Sequence, residues 1–270
     1  MSAVPHVVIA IPVYNGARYL ASAVRSVLDQ RYPHLSLYLL DDGSSDDPLH
    51  ALGAIPTSAY HYVRNQQRLG MVGNHNRCLD FNTGDFFKIL SQDDELVSGA
   101  LSRQVAALDE IPQAVFVAGP REIIRPNGRH LLTVDHGLRG LVDRATVCRA
   151  LARSGTNVVG EPATVLVRGE VLRRGARFPE DQPWLLDLFM WLKLLEHGPA
   201  LMLDEPAARF RLSSQSYSVG LGRRQVDEFS RFIDDLARHG EIGPWRCRYG
   251  KIRCVLNAVL RQWLYRYVGA

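Results

Sequence analysis

Within the first forty residues, a β-branched apolar run, a helical period and a second apolar run follow one another. Val7-Val8-Ile9-Ala10-Ile11-Pro12 reads as a strand covered on both faces, as in a buried parallel sheet. Ala17 to Gln30 then sets Leu20, Val24, Val27 and Leu28 at helical spacing. Leu35 to Leu40 is a second strand, ended by Asp-Gly. Parallel strands need a crossover and a helix supplies one, so the class is α/β with a mostly parallel central sheet flanked by helices.

The pattern continues with a weaker strand at Tyr60 to Arg64, a helix from His75 to Phe81 and a strand from Asp85 to Leu90. Ser98 is placed to cap a helix carrying Leu101, Val105 and Leu108. After Pro112 the character changes. Val115 to Ala118 reads as a strand, Pro120 to Gly140 as loop, Val142 to Arg153 as helix, Thr164 to Val167 as strand and Leu185 to Leu195 as helix. The polar stretch from Leu212 to Gly220 has the composition of a loop, and helical patterns carry the chain to its end.

Two of these strands run out into paired aspartates, Asp41-Asp42-Gly43-Ser44 and Ser91-Gln92-Asp93-Asp94. Adjacent carboxylates repel and resist burial unless something compensates them. Each pair alone fits an ordinary turn or helix cap. Together, beyond the carboxyl ends of strands in an α/β sheet, they mark a site for a nucleotide and a hard cation, which takes oxygen ligands.

Composition narrows the classes. Cys78, Cys148, Cys247 and Cys254 show no CxxC spacing, which argues against a zinc site or a disulfide framework and for free thiols in the cytoplasm. No apolar run approaches the ~18 residues needed to span a bilayer, and the amino terminus lacks the pattern of a signal peptide. The nine histidines form no closely spaced pair. GxGxxG and a Walker lysine are absent. The net charge of +4 is concentrated at the end, where Arg246, Arg248, Lys251, Arg253, Arg261 and Arg266 meet no acidic residue. That is not the spread basic face of a nucleic-acid binder.

The ordered set Ile11-Pro12-Val13-Tyr14-Asn15-Gly16, Leu40 to Asp46, Gly70 with Asn74 and Asn76, Gly84-Asp85, Gln92-Asp93-Asp94, Gly160-Glu161-Pro162, Phe178 and Asp187 with Trp191-Leu192 resembles a family 2 glycosyltransferase. The resemblance covers about residues 5 to 215. It implies the GT-A fold over 1–220, with a nucleotide-binding half (1–112), an acceptor-binding half (113–220) and a C-terminal helical extension (221–270). It also implies an inverting hexosyl- or deoxyhexosyltransferase of cell-surface polysaccharide or O-antigen synthesis. Such an enzyme takes a nucleotide-sugar donor, a glycan or lipid-linked glycan acceptor, and Mn2+ or Mg2+.

By that resemblance Pro12, Tyr14, Asn15, Asp42 and Asn74 hold the nucleotide. Asp42 would accept the imide N–H of uracil or thymine, pointing to a UDP- or dTDP-linked donor. Asn74 fits either donor contact or helix capping. Asp94 is expected on the metal and Asp93 on ribose or sugar, with Asp41 and Asp46 mainly structural. Asp187 matches the general base of inverting members, and its plain alternative is a carboxylate favouring a helix dipole. Glu161 and Arg211 are expected near the sugar or acceptor. One departure stands out: Ser213 occupies a position where similar sequences carry a histidine that approaches the metal. The polar stretch after it is expected to be a lid.

In the tail, Ile252, Val255, Leu256, Val259, Leu260, Trp263 and Tyr267 share one helical stripe. Two readings stay open, a helix docked on the body or in a homo-oligomer interface, and an interfacial helix on anionic lipid at the inner face of the plasma membrane. A sugar nucleotidyltransferase and a non-catalytic glycosyltransferase-like scaffold are the competing functions.

Overall fold

The structure is a computed structural model that describes residues 4–212 and 222–268. Its first half alternates β1 (Val7–Val13), α1 (Ala17–Leu28), β2 (Leu35–Asp41), α2 (Pro48–Leu52), β3 (His61–Arg64), α3 (Gly70–Leu79) and β4 (Phe86–Ile89). β1 pairs in parallel with β2 and with β4, and β2 with β3. Val13 lies beside Asp41 and Ala10 beside Ile89, so the three strands end at one edge. The chain steps outward from β1 to β3, then crosses back to put β4 on the other flank of β1. That reversal opens a crevice at the carboxyl ends, where ligands of open α/β sheets bind.

Pro12 is tolerated in this central strand for a geometric reason. The Ala10 carbonyl points toward β4 and accepts the Leu90 N–H at 3.0 Å. Pro12 points the same way two residues on, past the end of the β4 pairing, where no acceptor waits for an N–H.

The remainder comprises β5 (Glu95–Leu96), α4 (Ala100–Glu110), β6 (Phe116–Ala118), β7 (Arg121–Ile124), β8 (His130–Val134), β9 (Gly140–Val142), α5 (Arg144–Ser154), β10 (Leu166–Arg168), α6 (Gly169–Leu172), α7 (Leu186–Leu194), β11 (Ala200–Met202), β12 (Ala208–Arg211), α8 (Gly222–Arg238) and α9 (Pro244–Val268). The large sheet has the order β3-β2-β1-β4-β10-β6-β11-β9, and β10 runs antiparallel to both neighbours. A second sheet, β5-β12-β7-β8, stands beside it. The large sheet passes through residue 112 without a break. One core joins Val8, Phe116 and Trp191 to Phe229 and Cys254 of the C-terminal helices. Both sequence halves and the extension therefore contribute to this core, while a second core, with Ile9, Leu20 and Leu101, is built from the rest.

Four local expectations are corrected. The stretch 120–140 holds the hairpin β7–β8, whose Ile123 and Ile124 are buried and whose turn closes with the Gly128 N–H on the Arg125 carbonyl at 2.9 Å. α3 begins at Gly70 rather than His75, because a carboxylate from another loop caps it. Gly99 in the left-handed conformation (φ 69°) precedes α4, and Ser98 does not cap it. The strand expected from Thr164 begins at Leu166, after a 3-10 turn over Pro162–Thr164. Among the described residues no helix is long and apolar enough to cross a membrane. Ser213 and the polar stretch that follows it lie outside the described residues.

Candidate active site

The loops at the carboxyl edge are fastened to one another by the residues that the sequence singles out. Asp41 is fully buried and accepts from Ser44 N (2.9 Å) and Oγ (2.5 Å), Tyr62 Oη (2.6 Å) and Arg64 (2.7 Å). Burial pushes its carboxyl up, but these partners outweigh that and hold it below the ordinary value. Tyr62 is pushed to about 12, by burial first and then by its bond to Asp41. Asp46 accepts the Ala17 N–H at the start of α1 at 2.8 Å. Both are tied into the fold by these contacts.

Asn15 adopts φ 49°, a left-handed conformation that asparagine accommodates. Its Oδ1 accepts from Ser45 N at 2.8 Å, and its own N–H donates to Ser44 Oγ at 3.0 Å. Gln92 bridges the other side, with Oε1 accepting the Tyr14 N–H at 2.9 Å and Nε2 donating to the Tyr14 carbonyl at 3.0 Å. A Cβ at Gly16 would lie 2.0 Å from that Gln92 side chain, so this contact requires glycine. The Tyr14 ring is half exposed beneath the Arg68 guanidinium, 4.0 Å from its centroid.

Asp42 and Asn74, expected on the nucleotide, are engaged with the fold. Asp42 is buried, and its carboxylate accepts from Leu69 N (2.7 Å), Gly70 N (2.8 Å) and Asn65 Nδ2 (2.9 Å). It caps α3 from across the sheet edge, which satisfies otherwise orphaned N–H groups. Asn74 is buried behind it, donating to the Leu40 carbonyl at 2.8 Å and accepting from Asn65 at 3.0 Å. Both amide ends of Asn74 are used within the fold, where it positions the β2 end.

A cavity of about 520 Å³ opens between this edge and the second half of the chain. Asp93, Glu161 and Asp187 line it, with Ser91, Arg121 and His136. Asp187 sits in the first turn of α7, partly buried. Its Oδ2 accepts from Asn157 Nδ2 at 2.8 Å. Burial, then the charge on Glu161, raises its carboxyl to about 7. Asn157 Nδ2 also reaches the Gly160 carbonyl at 2.9 Å, where the Trp191 indole N–H donates at 2.9 Å.

Glu161 is ion-paired with Arg121, Oε2 to Nε 3.0 Å, although the two are out of line for a hydrogen bond. His136 is held neutral, its value lowered to about 4 by burial and then by Arg121. The segment after Glu161 is fixed from below. Lys88, buried in β4, donates Nζ to the Ala163 (2.8 Å) and Val165 (2.9 Å) carbonyls, and Gln104 donates to Thr164 at 2.7 Å. Burial lowers the Lys88 ammonium to about 7.

The second acidic pair divides in the opposite sense to the sequence expectation. Asp93 lines the cavity; Asp94 is 1% exposed, does not line it, and accepts the Arg211 N–H at 3.1 Å. Burial, then the neighbouring Asp93 charge, raises Asp94 well above the carboxylate range. Arg211 is likewise a correction, because it is buried behind the site. It pairs with Glu95, donates Nε to the Asp93 carbonyl at 3.0 Å and Nη1 to the Pro126 carbonyl at 3.2 Å, and stacks over Tyr19.

Among the described residues, no three His, Cys, Asp or Glu side chains form a cage for a metal. The oxygen chemistry of the wall, with the Asp93 carboxylate facing the cavity, fits a hard cation that arrives with a diphosphate and keeps waters. The structure thus brings together Asp93, Glu161 and Asp187 on the cavity wall, whereas Pro12, Asn15, Asp42, Asn74, Asp94 and Arg211 do not line it. Sequence reasoning missed Asn157, Arg121 and His136. Only Lys88, a charge in an apolar strand, and Asn157, three residues before Gly160, left a trace.

The chain is similar to known proteins in sequence and in fold. The Glycosyl transferase family 2 model matches residues 8–148. An uncharacterized glycosyltransferase of Rickettsia prowazekii, RP339, is 34% identical over 240 residues, covering 87% of this chain and 73% of that protein. WfgD of Escherichia coli, a UDP-Glc:alpha-D-GlcNAc-diphosphoundecaprenol beta-1,3-glucosyltransferase, is 29% identical over 241 residues, covering 85% and 88%. S. aureus TarS 1-349 in complex with UDP-GlcNAc matches with a TM-score of 0.67 at 17% identity, covering 86% of this chain and 66% of the other. The mannosyltransferase PcManGT from Pyrobaculum calidifontis, in complex with GDP-Man and Mn2+, matches with a TM-score of 0.64 at 18% identity, covering 99% and 74%. These structural likenesses carry the fold, and the family model with the 34%-identical relative carries the membership: the chain has the GT-A fold and belongs to glycosyl transferase family 2.

Proposed function

We propose that the protein is an inverting transferase. It moves a sugar from a UDP- or dTDP-linked donor to a hydroxyl of a glycan or lipid-linked glycan, in cell-surface polysaccharide synthesis on the cytoplasmic side. The observation that carries this is Asp187, a carboxyl held near neutrality on the wall of the cavity that Asp93 also lines. A general base works best with a value close to the working pH, and burial supplies that here.

In the reaction Asp187 takes the proton of the acceptor hydroxyl as that oxygen attacks the anomeric carbon and the bond to the diphosphate breaks. Asn157 keeps Oδ2 of the base in place and favours its charged form. Glu161, fixed by Arg121 and by Lys88 and Gln104 beneath its loop, borders the sugar and keeps the base carboxyl high. Asp93 would hold a Mn2+ or Mg2+ ion. When bound, that ion neutralises the charge that develops on the leaving diphosphate. The half-exposed Tyr14 ring with Arg68 above it offers the base of the nucleotide an aromatic and cationic surface. With Asp42 engaged by α3, uracil is supported by the likeness to WfgD, whose donor is UDP-Glc, and thymine by the family resemblance alone.

Incubation with a panel of nucleotide sugars and Mn2+ tests the reading. Nucleoside diphosphate is expected from UDP- or dTDP-sugars, slowly by hydrolysis and faster with acceptor. Release of no nucleoside diphosphate from any donor sinks it, and pyrophosphate formed from a nucleoside triphosphate would replace it with nucleotidyl transfer.

A further inference from the structure

α9 carries its apolar side outward. Its inner side packs on α5 and α8. A Cβ on Gly250 would meet the Ala152 carbonyl at 2.9 Å, Asn257 Nδ2 donates to the Ser154 carbonyl at 2.7 Å, and Lys251 pairs with Asp234 at 2.6 Å. The opposite side bears Trp245, Tyr249, Ile252, Leu256 and Val259 at helical spacing, 82% exposed at Trp245 and still 49% at Leu256 and Val259. The docked reading of this helix is therefore true of its small and polar side, and as far as Leu260 the stripe noted in the sequence has no partner among the described residues. A continuous exposed apolar stripe marks an interaction surface.

We propose that this face lies in the surface of an anionic phospholipid bilayer. Charge decides the occupant. Residues 244–260 contain Arg246, Arg248, Lys251 and Arg253 and no acidic residue. Among the described residues no carboxylate pairs with Arg246, Arg248 or Arg153. At the head of the stripe a groove of about 540 Å³ between α5 and α9 gathers Arg149, Arg153 and Arg246 with Trp245 and Tyr249. Guanidinium groups take phosphate oxygens in a planar fork, and tryptophan and tyrosine settle at headgroup depth. A second copy docked on this face about a two-fold axis would set these arginines against their own images, which repels. A bilayer with anionic headgroups complements them, and a helix too charged to cross it lies in its plane.

The same helix also borders the cavity, through Cys254, Asn257 and Ala258. Binding of the stripe to lipid would hold the cavity about one helix diameter (~10 Å) from the membrane surface, within reach of a sugar carried on a lipid. This consequence rests on the transferase reading; the lipid binding itself does not.

Flotation of the full chain with phosphatidylcholine vesicles, with or without phosphatidylglycerol, is the test. At least about tenfold stronger partition onto the anionic vesicles is expected, falling several-fold between roughly 0.05 and 0.5 M salt as the charges are screened. The Ile252→Glu/Leu256→Glu variant changes exposed side chains only. It should lose flotation while releasing nucleoside diphosphate from donor in vesicle-free solution at the wild-type rate. Equal partition on both vesicle types, no partition, or unchanged flotation of the variant overturns the proposal. So does a wild-type dimer by light scattering that the same substitutions dissociate. A chain that floats on anionic vesicles but acts on no donor keeps the lipid surface and loses only the transferase reading.

Discussion

Asn157 Nδ2 donates to Asp187 Oδ2 at 2.8 Å, and that amide is the side-chain group that orients the carboxyl in its cavity. It joins the loop after α5 to the first turn of α7, so a carboxyl on one element is oriented by an amide from another. Burial, then Glu161, raises the Asp187 carboxyl, and the Leu188 N–H and Asn157 lower it.

Asp187→Asn should cost kcat about 10²–10⁴-fold, the range a general base contributes. The same change should stabilise the fold in a pH-dependent way. The carboxyl titrates near 7 when folded against 3.8 for an unperturbed aspartate, so the folded state binds the proton more tightly. Stability therefore falls as pH rises from 4 to 7, by up to about 4 kcal/mol at one unit per 1.4 kcal/mol. Thermal melts at pH 8 should show the variant above wild type and melts at pH 4 should show them together. A variant within threefold of wild-type kcat would remove Asp187 from the mechanism.

Glu161→Gln and Asn157→Leu should move the acid limb of kcat/KM in opposite directions. The first removes a negative charge that raises the Asp187 value, so the limb shifts to lower pH. The second removes a donor that favours the carboxylate, so the limb shifts to higher pH, and kcat at pH 7 falls about tenfold as the base loses its orientation. Shifts of equal sign would contradict the electrostatic account.

Asp93 and Asp94 should separate under amide substitution. Asp93→Asn removes the carboxylate at the cavity wall and should weaken Mn2+-dependent donor binding about tenfold or more in calorimetry. Asp94→Asn alters a group sealed beneath the wall and keeps an oxygen for the Arg211 N–H, so cation-dependent affinity should stay within about threefold, and because burial disfavours the Asp94 carboxylate, stability at pH 8 should not fall. The reverse order would restore the expectation drawn from sequence alone.

Arg211→Met should destabilise by about 3–5 kcal/mol in urea unfolding, because it leaves Glu95 without its buried partner and the Asp93 and Pro126 carbonyls without a donor. Arg211→Lys should recover only part of the loss, since a single ammonium cannot reproduce the fork.

The sequence by itself determined the class of fold and the edge at which the site lies. A β-branched run, a helical period and a second apolar run admit only a parallel crossover, and the aspartate pairs mark where its strands end. It also picked out Asp187, Glu161 and Asp93, because the family pattern keeps carboxylates at those positions. Tertiary structure decided which of the marked residues face the cavity. A carboxylate at a strand end serves a ligand or serves the fold, and local sequence is the same for both. Asp42 is taken by the α3 N-terminus and Asp94 by the Arg211 backbone, donors that lie 27 and 117 positions away in the chain. The hairpin in 120–140, hidden by Arg-Pro-Asn-Gly, brings Arg121 and His136 to a wall that no nearby residue predicts. The direction in which α9 turns its apolar stripe was set the same way, by which side fits Gly250 and Asn257 against α5.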